Sequence, residues 1–208
     1  MTSTTAYKPI ENYGVIGNLH TVALVGMDGS IDWCCLPHFD SPSVFGDLLD
    51  AKKGGHFSIA PPFIEARRQA YLPDTNILIT RFFHTEGAGE IIDFMPISDD
   101  PADDVNRHHI YRVVRVVKGR IRFHVDCTPA FNYGRDRHAI AKQKGGFLLT
   151  SKTMHLALLT DQRMNIVAGG LHADLHLKAG ESRSFVLCHN EGGRQCPTHQ
   201  PAEQALEE

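Results

Sequence analysis

The sequence is short of several things. It has a single tryptophan, no cysteine pair at CxxC spacing and no apolar run approaching the length of a membrane span. No GxSxG, HExxH or phosphate-loop pattern occurs, so nothing calls for a cofactor, and no membrane partner is expected. Charge of one sign is missing too. Lys and Arg number 21 against 24 Asp and Glu, the formal net charge is −3, and no basic stripe is interleaved with aromatics, which argues against a nucleic-acid partner. The five cysteines, at 34, 35, 127, 188 and 196, are odd in number and two are adjacent, unlike a secreted disulfide framework. Cys34, Cys35 and Cys127 sit in apolar runs where a reduced thiol acts as a small hydrophobe. With no apolar h-region in MTSTTAYKPIENYG, a reducing, cytoplasmic setting is expected.

What is present is a series of short β-branched and aromatic runs separated by turn residues. That pattern predicts an all-β fold, an antiparallel β-sandwich. Thr21–Met27 and Ser30–Cys35 flank Asp28-Gly29, a dipeptide suited to a hairpin turn. Two segments alternate cleanly. Ile121, Phe123, Val125 and Cys127 oppose Arg122, His124 and Asp126; Leu171, Ala173, Leu175 and Leu177 oppose His172, Asp174, His176 and Lys178. Such strands have one wet face. One short helix is expected over Pro42–Leu49, with Ser41 as its cap and Pro42 in its first turn. Residues 98–108 read as an acidic surface loop. Residues 201–208 start like a helix, but eight residues with one Leu do not hold a helix in water.

Few residues invite chemistry. In DGSIDW, strict alternation puts Ile31, Trp33 and Cys35 on one face and Ser30, Asp32 and Cys34 on the other. Trp33 reads as core, or as part of a docking face or sugar platform. Asp32, among apolar neighbours, should be paired, through Ser41 or Arg81, unless it points to a substrate. Asp28, Asp32 and Asp40 cluster in sequence, but without a deep pocket they make a poor acid–base pair. Asp40 and Ser41 fit turn chemistry. His172, Asp174 and His176 share a strand face and form a weak metal candidate, with a solvated polar face as the simpler account.

Three separated motifs carry a family resemblance. Residues 10–55 contain YGVIGNLH, then DGSIDWCCLPHFDSPSVFGDLLD, then GG. YLPDTNILITRFF with GEIIDFMP follows at 71–96, and CTPAFNYGR at 127–135. The order resembles the N-terminal region of bacterial glycoside hydrolase family 15, the glucoamylase and trehalase type. His38 departs from the Arg expected before Phe-Asp-Ser-Pro. The resemblance implies a non-catalytic β-sandwich over residues 1–195 and, over 196–208, the start of a linker helix towards an (α/α)6 catalytic barrel. That barrel of the same parent chain is the implied partner, and an α-glucoside is met only through it. No catalytic residue is transferred. Asp28, Asp32, Trp33, Asp40, Ser41 and Phe45 are the docking or substrate-proximal candidates, on a surface formed by Met27–Pro37 and Pro42–Leu49; left bare, that surface predicts a weak homodimer. A stand-alone carbohydrate-binding module or protein-interaction domain is the alternative.

Overall fold

The computed structural model describes residues 7–97 and 108–190. The acidic loop at 98–107, Cys196 and the expected start of a linker helix at 196–208 lie outside the described residues.

The strands are β1 (Tyr13–Gly17), β2 (Val22–Gly26), β3 (Ser30–Cys35), β4 (Ser43–Phe45), β5 (Gly55–Ala60), β6 (Ala66–Tyr71), β7 (Leu78–His84), β8 (Gly87–Phe94) and β9 (His109–Pro129). They continue as β10 (His138–Gln143), β11 (Gly146–Ser151), β12 (His155–Leu159), β13 (Asn165–Val167), β14 (Gly170–Lys178) and β15 (Ser182–His189). Every pairing among the described residues is antiparallel. The fold is the expected all-β sandwich. The first sheet runs β1-β2-β3-β5-β9-β14-β13, with β4 beside β3. The second runs β6-β7-β8-β9-β15-β12-β11-β10.

Strand β9 serves both sheets. Its first half pairs with β8 and β15, and its second half pairs with β5 and β14. The crossing point is Gly119, at φ 69°, where an added Cβ would lie 1.9 Å from the Glu86 carbonyl oxygen. Only glycine combines that dihedral with so close a backbone approach.

Between the sheets, rings meet across the gap: Phe57 with Phe185 at 6.2 Å and Phe82 with Phe123 at 6.3 Å between centroids. The alternation read in β9 and β14 holds, since Ile121, Phe123, Val125, Cys127, Leu171, Leu175 and Leu177 are buried in this core. A second apolar cluster that includes Ile92, Phe94, Tyr111 and Val113 occupies the other face of the second sheet and is buried as well.

The helix expected over Pro42–Leu49 is not there. Ser43–Phe45 forms strand β4 on β3, and the chain then turns, Leu49 N–H reaching the Gly46 carbonyl at 2.9 Å. Val44 and Phe45 are fully buried, and core packing overrides the helix signals. Among the described residues, the short helical segments lie elsewhere, a 3-10 turn at Ile10–Asn12 and α1 at Phe131–Gly134. Asn132, Tyr133 and Gly134 have φ of 54°, 58° and 72°, so α1 is a left-handed turn.

Candidate functional site

The β2–β3 hairpin has a defect that decides which side chains it shows. Leu24 pairs with Trp33 and Val25 with Ile31, leaving Asp32 as an extra residue. This β-bulge breaks the alternation expected from DGSIDW. Ile31 and Cys34 both enter the core, while Trp33 leaves the face of Ile31 and joins Leu24 outside.

Asp32 is buried beneath its own ligands. Its carboxylate accepts hydrogen bonds from Ser30 Oγ (2.6 Å), Tyr13 OH (2.8 Å) and Lys8 Nζ (2.5 Å). Neither Ser41 nor Arg81, the partners expected from sequence, takes part. Ser41 Oγ accepts the His38 N–H at 3.1 Å, and Arg81 bonds Glu90. Lys8 also bridges to Asp28 at 2.6 Å. Burial would lower the Lys8 pKa, but the two carboxylates outweigh it and hold the ammonium above its ordinary value. Burial, aided by the Asp32 hydrogen bond, pushes the Tyr13 phenol well up. Burial also raises Asp47, with the Asp32 charge adding to it. The cluster is a closed charge network.

Beside it the surface is aromatic. The ring of Trp33 lies 6.4 Å from that of Tyr133, and the Arg135 guanidinium stands 5.7 Å from the Tyr133 centroid. Tyr133 is presented by the left-handed turn, which costs about 1–2 kcal/mol per non-glycine residue. The turn is braced from beneath: Ala130 N–H reaches the Val44 carbonyl and Gly134 N–H the Ala130 carbonyl. Of the other sequence candidates, Asp40 is exposed, Ser41 closes a turn with His38, and Phe45 is wholly within the core.

Farther along the same outer face the surface becomes ionic. His172 Nδ1 lies 3.3 Å from Asp126 Oδ1 without hydrogen-bond alignment, and His56 lies 3.5 Å from the other oxygen. Asp174 takes His124 at 2.5 Å and Arg122 at 3.1 Å. The Arg122 hydrogen bond is the largest influence holding the Asp174 carboxyl below its ordinary value. His172 and Asp174 are thus drawn to separate partners on the neighbouring strand. Among the described residues, no group of three His, Cys, Asp or Glu side chains is placed to hold a metal ion.

Behind the hairpin stands a residue that sequence reasoning missed. Arg112, fully buried, donates Nε to Asp93 at 2.8 Å and Nη2 to the Gly29 carbonyl at 2.7 Å, and it also bonds the Phe57 carbonyl. It ties the hairpin turn and β5 to the second sheet. The available signal was a charged residue inside the apolar run IYRVV. Glu90, equally buried, is flanked by Arg81 and Arg115.

Residues 2–203 match the family model described as trehalase-like, N-terminal. The chain belongs to this family. The trehalase-like N-terminal chain is 38% identical over 154 residues to a trehalase of Thermoplasma volcanium, covering 70% of this chain and 23% of that protein. Trehalase 1 of Sulfolobus acidocaldarius is 40% identical over 157 residues, 74% of this chain and 25% of that protein. A trehalase of Mycolicibacterium smegmatis is 35% identical over 145 residues, 62% and 21% respectively. The trehalase-like chain thus spans about a quarter of the length of these curated relatives. A solved structure of a putative kojibiose phosphorylase from the human microbiome superposes with a TM-score of 0.43 at 11% identity, covering 93% of this chain and 31% of that one. No helix among the described residues of the trehalase-like chain is long and apolar enough to cross a membrane.

Proposed function

We propose that the chain is the non-catalytic N-terminal accessory domain of a family 15 glycoside hydrolase of trehalase or glucoamylase type. It packs on the catalytic barrel and shapes the mouth of its active site. The observation that carries this reading is the span of the match: the chain fills the N-terminal family yet covers about a quarter of each relative called a trehalase.

The carboxylates support it. Inverting glycosidases need an acid and a base about 6.5–9.5 Å apart across a cleft. Here the deeply buried carboxylates serve structure: Asp32 is held by Lys8, Glu90 by two arginines and Asp93 by Arg112. An open depression of about 670 Å³ lined by Tyr71–Asn76 and Ile97 contains one carboxylate, Asp74. A smaller one of about 170 Å³ beside Pro61–Phe63 contains one, Glu86.

The test is turnover. The chain alone releases no glucose from trehalose or maltose above a buffer blank. Release that disappears in Asp32→Asn or Asp40→Asn would overturn the reading. A second reading, a carbohydrate-binding module acting by itself, is favoured by the outward Trp33 and Tyr133 rings. Retention on an insoluble α-glucan, lost in Trp33→Ala, would support that one instead.

A further inference from the structure

The outer face of the first sheet is divided. Over β9 and β14 it is polar, carrying Arg122, His124, Asp126, His172 and Asp174. Over β1, β2 and β3, beside the network of Lys8, Tyr13, Asp28 and Asp32, it carries an apolar row. Val15 pairs with Leu24 and Leu24 with Trp33, so three apolar side chains stand in one cross-strand row, and Tyr133 extends it at 6.4 Å from Trp33. Strands are about 4.8 Å apart, so the row is about 10 Å long before Tyr133 is added. Val15 and Tyr133 are each 44% exposed. An antiparallel sheet that faces water is polar on that side, as the other half of this sheet is. The comparable apolar face of the second sheet is already buried.

Two backbone irregularities maintain the row. The bulge at Asp32 aims Trp33 outward, and the left-handed turn holds Tyr133 outward. The bulge also brings Ile31 and Cys34 together into the core, whereas the turn is not needed to fill it, because Phe131 does so from the same segment. The turn holds Asn132 and Tyr133 at positive φ, and strained backbone kept in place points to a use.

We propose that the row Val15–Leu24–Trp33–Tyr133 is the surface on which the remainder of a trehalase-type polypeptide docks, with Arg135 at its rim. This rests on the accessory-domain reading above. The occupant follows from length: about three quarters of each relative lies beyond the region matched by this chain. Contacts between domains of one chain bury about 600–1,500 Å² and need an apolar centre with a polar border. The row supplies the centre. Lys8, Asp28 and Asp47 on one side and Arg135 on the other supply the border.

The experiment uses the 208-residue chain and the part of the Thermoplasma volcanium trehalase that lies beyond the match, supplied both as a separate protein and joined to the chain. Three forms are compared: the unmodified chain, Leu24→Lys with Trp33→Glu on the apolar row, and His176→Glu with Lys178→Glu on the polar half. Melting of each chain alone shows whether it folds, and a row variant that unfolds is replaced by Val15→Lys. The expected result is association of the unmodified and polar-half chains, with affinity reduced at least about tenfold in the row variant, a loss in line with removing a buried aromatic anchor. Association that survives in the row variant overturns the surface and leaves the accessory reading intact. No association of the unmodified chain in either form removes the accessory reading, and the surface with it. A row variant that alters only self-association of the chain makes a second copy the occupant and overturns the proposal.

Discussion

Arg112 and Asp93 form an ion pair in which both side chains are fully buried, with Nε 2.8 Å from Oδ1. The same guanidinium reaches across the sandwich to the Gly29 and Phe57 carbonyls, so one residue joins the pair to the hairpin turn. Breaking a buried pair by removing one partner costs about 3–5 kcal/mol. Arg112→Ala and Asp93→Asn should each lose that much in urea denaturation. Replacing both, as Arg112→Met with Asp93→Leu, should recover part of the loss but remain about 1 kcal/mol or more below the native chain, because the carbonyl contacts are gone. A double variant as stable as the native chain would show that those contacts add nothing.

Asp32 offers a contrast with Asp40. Removing the Asp32 carboxylate leaves Lys8, Tyr13 and Ser30 without their shared acceptor, so Asp32→Ala should cost about 1–3 kcal/mol. Asp40 is exposed, and Asp40→Ala should change stability by less than about 0.5 kcal/mol. Paired melting curves decide the matter. Equal effects would mean that the charge network around Lys8 contributes no stability.

The His56–Asp126 contact predicts a pH dependence. The hydrogen bond to Asp126 is the largest influence on His56 and raises its pKa above the ordinary 6.5. Its stabilisation is therefore complete below 6.5 and fades as pH climbs through the raised value. For Asp126, burial is the largest single influence and pushes upward, but His56 and His172 outweigh it and hold the carboxyl below 3.8. That contribution is complete above 3.8 and is lost as pH falls through the lowered value. Both are in force between about 4 and 6.5. The side chains are a third or more exposed, so His56→Gln should cost about 0.2–1 kcal/mol in that window and nothing well above it. Denaturation at pH 5.5 and 9 gives the comparison, and an equal loss at both would rule the contact out as the cause.

The thiols should be silent in the native state. Cys34, Cys35, Cys127 and Cys188 are buried, and burial raises the pKa of the Cys34, Cys35 and Cys127 thiols. The thiolate is the reactive form. Iodoacetamide at pH 8 should leave these four unlabelled until denaturant is added, as read by peptide mass spectrometry. Labelling of Cys34 or Cys127 in the folded chain would contradict their placement.

Much of the fold was legible because burial writes a period into a strand. The alternation in Ile121–Cys127 and Leu171–Lys178 passed directly into which side chains face the core. Three features did not show. The bulge at Asp32 inserts one residue and shifts Trp33 to the other face, and nothing in DGSIDW marks where the period slips. Ser41-Pro42 carries helix-start chemistry, yet Val44 and Phe45 are drawn into the core as a strand. The edge strand His138–Gln143 is too polar and exposed to leave a hydrophobic signature. At the candidate site, the hairpin and Trp33 were visible in the sequence. Tyr133 was not singled out, because its place beside Trp33 depends on a backbone turn that few residue types prefer.

Strand β9 has a consequence for how the domain comes apart. Its 21 residues are held by β8 and β15 at one end and by β5 and β14 at the other. Releasing it from either sheet frees the central rung of both. The sandwich therefore has no layer that can melt first and survive as a folded remnant, and its loss of structure should be a single cooperative event in which backbone amides at Val113 and Val125 gain access to solvent together.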